Sequence, residues 1–272
     1  DLEYCRTHGI EVANASGCNA GGVMQYVFSA LFGIAARKGI KIEGATLGII
    51  GVGNVGSRIE YLADYLGFNV LRCDPPRARK EGDEGFCSLE YLLAESDIVT
   101  MHVPLDETTR GMANADFFTL MKPGAIFINS ARGEVVDEQA LLEVAPKLGA
   151  IVIDTWNNEP HVNEDLIEMV DIATPHIAGY SLQGKQNATT MAVQAVARFF
   201  GIDALKDFIP HDDDPSHTPV LLDLKGKNHG EIAAVFQYNY PIFTDDFRFR
   251  MEPEKFEKLR SEYQYRREVY VE

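Results

Sequence analysis

The chain has 272 residues, 46% of them hydrophobic and 24% charged, with 12 Pro and 23 Gly. This composition excludes a collagen, a coiled-coil rod and a disordered tail, and the length suggests two domains or one with a sizeable appendage. Lys and Arg total 25 against 41 Asp and Glu, a formal net charge of −16 that disfavours nucleic acid and anionic membranes as partners.

In chain order, residues 20–38 carry apolar side chains at helical spacing and predict a long, well-buried helix. The run 45–51 (ATLGIIG) is short, apolar and closed by Gly, as a buried strand is. Residues 55–66 return to the helical period, and 68–74 (FNVLRCD) form a second strand. The alternation then repeats, with helices at 88–96, 114–121 and 137–148. The strands between them lie at 97–103, 124–130 and 149–155, and a short last one at 171–176. Strands alternating with helices predict an α/β fold with a parallel sheet covered on both faces. Past Gly179 comes one more amphipathic helix at 184–201. The stretch IPHDDDPSHTP (209–219) reads as a linker, and the aromatic, charged tail as a small α+β module.

Cys5, Cys18, Cys73 and Cys87 form no CxxC pair and have no His at finger-like spacing, so no zinc site is indicated and a reducing cytoplasm is the expected setting. No apolar run approaches the length that spans a bilayer, and the first residues lack the pattern of a signal peptide. The absence of an initiator Met leaves open a start partway through a longer protein.

Gly51-Val52-Gly53-Asn54-Val55-Gly56 is a GxGxxG that follows a predicted strand and opens a predicted helix. In that setting Gly51 allows the tight turn, Gly53 lets the backbone approach a pyrophosphate, and Gly56 lets helix and strand pack closely. Asn54 and Val55 then begin a helix whose free N–H groups face the phosphates. Asp74 ends the second strand, 23 residues after Gly51, where a carboxylate accepts from the ribose hydroxyls and favours NAD. Arg77 and Arg79 follow and are the feature that would accommodate NADP.

Three more segments fall at the C-terminal ends of predicted strands, where open α/β sheets bind ligands. They bring Arg132 (in NSARGEVVD), Glu159 (in DTWNNEP) and His176 (in TPHIAGY). Singly, each is an ordinary surface cation, loop carboxylate or strand-end histidine. Together a guanidinium to grip a carboxylate, an imidazole to exchange a proton and a carboxylate to hold the imidazolium are the parts needed to oxidise a 2-hydroxy acid.

GVGNVG with Asp74, then NSARGEVVDEQAL, DTWNNEP and TPHIAGY in that order, resemble the D-isomer-specific 2-hydroxyacid dehydrogenases. The resemblance implies a Rossmann-type doubly wound sheet and NAD as cofactor. It implies Arg132, Glu159 and His176 as catalytic residues, with His176 donating or accepting the proton. Asp74, the backbone around Val103, Ser130, Ala131, Asp154 and Gly179 would line the NAD site, and Arg132 and Tyr180 would touch a small phosphorylated hydroxy-acid substrate. It also implies a domain plan: 1–19 as a remnant of the substrate-binding lobe, 20–180 as the NAD-binding domain, 181–209 as return helix and linker, and 210–272 as a module that makes a homodimer. The first part of the substrate lobe has no counterpart in these residues. Two alternatives stay open: a sibling acting on glycerate, hydroxypyruvate or phosphoglycerate, and a non-catalytic NAD(H)-sensing module.

Overall fold

In the computed structural model, which describes residues 1–271, each apolar run read as a strand does form one, trimmed at its ends. The strands β1 (Thr46–Ile50), β2 (Asn69–Cys73), β3 (Ile98–Met101), β4 (Ile126–Asn129), β5 (Ala150–Ile153) and β6 (Ile172–Ala173) are all parallel. Their order is β2-β1-β3-β4-β5-β6. The chain winds from β1 to β2, returns past β1 to β3 and continues the other way, so the order reverses between β1 and β3. A crevice at the carboxyl ends of the strands belongs at that reversal.

Helices separate the strands: α1 (Leu2–Thr7) and α2 (Ala20–Lys38) precede the sheet, α3 (Asn54–Tyr65) links β1 to β2, and α4 (Pro75–Glu81) and α5 (Leu89–Glu95) link β2 to β3. They are followed by α6 (Ala115–Leu120), α7 (Glu138–Val144), α8 (Glu164–Met169) and α9 (Leu182–Phe200). Two of these, α4 and α8, have no periodic apolar pattern to announce them. Each is set instead by its cap: Asp74 accepts from the Arg77 N–H ahead of two prolines, and Asn163 accepts from the Leu166 N–H.

Strand residues alternate between two cores, as the period of two demands. Leu47, Ile49, Ile98, Ile126 and Ile128 face one core with α2 and α3, whereas Ile50, Val99, Met101 and Phe127 face the other with α5 to α8. No helix among the described residues is long and apolar enough to cross a membrane.

The tail consists of β7 (Val220–Leu222), α10 (His229–Asn239), α11 (Ile242–Met251), α12 (Phe256–Ser261) and β8 (Val269–Val271), with β7 and β8 paired in parallel. It keeps no core of its own. Ile232, Phe236 and Val269 join the α2 core, where the Phe32 and Phe236 rings stack 5.5 Å apart. Phe249 and Phe256 complete the opposite core against Trp156. Burying each such side chain is worth about 1.5–3 kcal/mol, so the tail is part of what holds the sheet together.

Candidate active site

The turn after β1 brings the backbone unusually close to β3. Gly51 has φ 85°, and a Cβ there would lie 2.8 Å from the carbonyl carbon and oxygen of His102. Gly56 packs its α-carbon onto the Gly51 carbonyl with no room for a side chain, whereas Gly53 faces open space. Asp74 secures the arrangement from β2. Its Oδ2 accepts from the Val52 N–H at 2.8 Å and its Oδ1 from the Arg77 N–H at 2.9 Å. Arg77 is itself engaged, donating to the Val52 carbonyl (2.7 Å) and to both oxygens of Glu81. Arg79 stays exposed beside Asp74 in a cleft of about 290 Å³ lined also by Pro75 and Phe86. An open glycine cradle on the N-terminus of a 12-residue helix, an acid at the end of β2 and a buried Ser130 hydroxyl without a partner fit NAD. Val103 borders the Gly51 turn, its Cγ1 3.0 Å from where a Cβ would stand.

At β4, β5 and β6, adjacent in the sheet, three loops carry Arg132, Glu159 and His176. Buried Asn129 shapes the first, accepting from the Ala131 N–H and donating to the Arg132 carbonyl at 3.0 Å. The Arg132 side chain is exposed, its only hydrogen bond among the described residues running to the Ala131 carbonyl at 2.6 Å. Gly133 then abuts the backbone of Trp156 so closely that no Cβ fits, and Asn157 Nδ2 donates to the Val136 carbonyl. The Arg132 and Glu159 loops are thereby stitched together.

His176 and Glu159 form a pair, with Nδ1 at 2.8 Å from Oε2 and 3.1 Å from Oε1. A carboxylate only accepts, so Nδ1 carries the hydrogen and Nε2 is left as the proton-exchanging atom. Burial works against the charge of Glu159. The hydrogen bonds from His176 and the Trp156 N–H, with the charges of His176 and Arg260, outweigh it and hold the carboxyl below its usual range. His176 sits at φ 56°, a left-handed conformation that costs a non-glycine residue energy and is kept only where the surroundings impose it.

Asp154 is what imposes it. Its carbonyl accepts from the His176 N–H at 2.7 Å, Oδ1 from the Ile177 N–H and the Thr174 hydroxyl, and Oδ2 from the Ala178 N–H. Tyr26 OH, on α2, meets the same Thr174 hydroxyl at 2.6 Å. Every oxygen of this fully buried carboxylate is thus committed to the His176 loop. Gly179 closes the loop against Asn19 with no space for a side chain, and Tyr180 follows half-buried.

The tail supplies residues that the sequence did not single out. Arg266, buried, donates to the carbonyls of Ile177, Tyr180, Ala178 and Gly22. Around Tyr180 stand the rings of Tyr263 and Tyr265, each 5.9 Å away, and the cations Lys185 and Arg260. A run such as SEYQYRREVY reads locally as solvated charge, because only the fold reveals that its arginine ends among carbonyls.

Comparison with known proteins agrees with this geometry. Residues 29–178 match the model of the D-isomer specific 2-hydroxyacid dehydrogenase, NAD binding domain. An erythronate-4-phosphate dehydrogenase of Bacteroides thetaiotaomicron is 43% identical over 98% of this chain and 76% of its own length. One from Chromohalobacter salexigens is 44% identical over 82% of this chain and 60% of its own length. Among solved structures, the D-lactate dehydrogenase of Aquifex aeolicus, complexed with NAD and lactic acid, superposes with a TM-score of 0.59 at 27% identity. It covers 75% of this chain and 73% of that one. The holo D-mandelate dehydrogenase of Rhodotorula graminis superposes at 0.65 and 26% identity, covering 73% and 68%. The chain belongs to the D-isomer specific 2-hydroxyacid dehydrogenases, NAD-dependent oxidoreductases, and carries their NAD-binding domain.

Proposed function

We propose that this protein oxidises (R)-4-phosphoerythronate to 2-oxo-3-hydroxy-4-phosphobutanoate, a step towards pyridoxal 5'-phosphate. The names of relatives 39–44% identical to it support that substrate. The observation that carries the chemistry is the His176–Glu159 pair, with Nε2 unbonded among the described residues, at the same carboxyl ends of the strands as the Gly51 turn.

Gly51, Gly53, Asn54, Val55 and Gly56 would hold the pyrophosphate of NAD and Asp74 its ribose, with Val103, Ser130, Ala131 and Gly179 towards the nicotinamide. When bound, NAD supplies the acceptor for a hydride. Arg132, its guanidinium unpaired by any carboxylate among the described residues, grips the substrate carboxylate and polarises the adjacent C–O bond. His176 Nε2 takes the hydroxyl proton as C2 becomes a carbonyl carbon, and Glu159 stabilises the imidazolium that results. Asp154 acts through the loop it braces, and Tyr180 borders the substrate.

We further propose a homodimer formed through 210–272, where Tyr238, Phe247 and Met251 stand exposed, types enriched in interfaces.

The experiment is a panel of (R)-4-phosphoerythronate, glycerate, hydroxypyruvate and 3-phosphoglycerate assayed with NAD or NADH, on the wild type and on His176→Asn. Preference for the first, with a loss of about 10²–10⁴-fold in the variant and NADH affinity retained, supports the reading. NADH binding without turnover of any member would make the protein a sensor and overturn it.

A further inference from the structure

Lys185 and Arg260 are not among the cations that form ion pairs with described residues, although the chain carries a net charge of −16. Both point at one place. Lys185, in the first turn of α9, has its Nζ 5.6 Å from the centre of the Tyr180 ring and 5.0 Å from that of Tyr265. The Arg260 guanidinium, on α12, lies 5.8 Å from Tyr180 and 5.6 Å from Phe256. The Nε of Arg260 is buried with no hydrogen-bond partner among the described residues. A buried, unsatisfied donor on a charged group costs stability, and a bound anion is one partner that would relieve it. Tyr180 follows His176 by four residues, and the charge of Arg260 is felt at Glu159, so the cluster borders the proton-exchanging pair.

We propose that Lys185 and Arg260, which share the Tyr180 ring, form a subsite for the phosphate of the substrate, at the opposite end from the carboxylate gripped by Arg132. A phosphomonoester is a dianion with three acceptor oxygens. One ammonium and one guanidinium together neutralise it, and the aromatic faces hold both cations without quenching them as carboxylates would. This rests on the reading of the protein as a 2-hydroxy-acid dehydrogenase and assigns its preference for a phosphorylated substrate to the C-terminal tail.

The test compares kcat/KM for (R)-4-phosphoerythronate with kcat/KM for unphosphorylated erythronate in the 272-residue chain and in Lys185→Met and Arg260→Gln. The ratio of the two is expected to fall about 10- to 100-fold in each variant, mostly through KM, with Lys185→Arg recovering most of it. Equal losses on both substrates would overturn the subsite and leave the dehydrogenase reading standing. A second measurement follows the ³¹P line width of inorganic phosphate added to the NADH-saturated protein. Broadening in the wild type that disappears in both variants supports the subsite, even if no 2-hydroxy acid is turned over and the dehydrogenase reading falls. Broadening unchanged in the variants overturns it.

Discussion

Arg266 donates from Nη1 to the carbonyl of Ile177 at 3.1 Å, one residue beyond His176 and 89 residues away in the chain. The same guanidinium holds the carbonyls of Tyr180, Ala178 and Gly22 and lies 4.2 Å over the Tyr240 ring. The end of the chain therefore fastens the loop on which the proton-exchanging histidine sits. Arg266→Met would leave four carbonyls without their donor. We expect a loss of about 3–5 kcal/mol in stability and a lower kcat, seen by thermal unfolding and steady-state kinetics. An unmoved melting temperature would refute the clamp.

The packing of the tail also fixes what its removal should do. Phe236, Phe249 and Phe256 are each no more than 1% exposed in the two cores on either face of the sheet. Deleting 210–272 should abolish cooperative unfolding rather than yield a folded monomer, because losing each buried Phe, with the cavity it leaves, costs about 3–5 kcal/mol. Circular dichroism through a thermal ramp decides. The dimer is better tested on the whole chain by sedimentation, with Tyr238→Glu expected to shift it towards monomer.

Asp154→Asn replaces an acceptor by a donor opposite the N–H groups of Ile177 and Ala178. Whichever way the amide turns, one N–H of that loop or the Thr174 hydroxyl loses its acceptor. The cost should be about 1–3 kcal/mol, with His176 relaxing from its left-handed backbone and kcat falling more than KM rises. A variant as active as wild type would show that the loop holds itself.

Cofactor choice follows from Asp74. A 2′-phosphate beside this carboxylate would cost on the order of 1–4 kcal/mol. Arg77, spent on Glu81 and Val52, is in no position to offset that. Fluorescence titration should give tighter binding of NADH than of NADPH, and equal affinities would mean that exposed Arg79 governs the site. Gly51→Ala should lose both, since its Cβ would meet the His102 carbonyl at a φ alanine rarely adopts.

His102, at the end of β3, offers a pH test. Burial pushes its pKa down to about 3 from an ordinary 6.5, and Thr100 Oγ1 lies 2.8 Å from its Nε2. Between those values the unfolded chain binds a proton that the folded protein refuses, so stability falls as pH drops through the window, by about 1.4 kcal/mol per pH unit. His102→Gln should flatten that dependence between pH 6.5 and 3 in denaturant titrations. Parallel curves for the two proteins would exclude His102 as the cause.

The alternation of apolar runs with amphipathic helices, the GxGxxG turn and Asp74 are local signals, and they carried the sheet, its strands and the cofactor turn directly from the residues. Arg132, Glu159 and His176 could be named too, because strand ends in an α/β sheet converge whatever the details. Helices α4 and α8 were not legible from periodicity, since α4 opens on two prolines and carries mostly charges and both are fixed by single capping side chains. Nor was the destination of the tail. Arg266, Arg260 and Lys185 sit in runs that look like solvated surface, and their partners are carbonyls and rings brought from far along the chain. Asp154, which the resemblance sets at the cofactor site, also braces the loop beneath His176, a role that no local signal announced. Periodicity and turn chemistry act between neighbours and are written in the sequence. Which buried polar group satisfies which depends on long-range packing, and only the tertiary structure decides it.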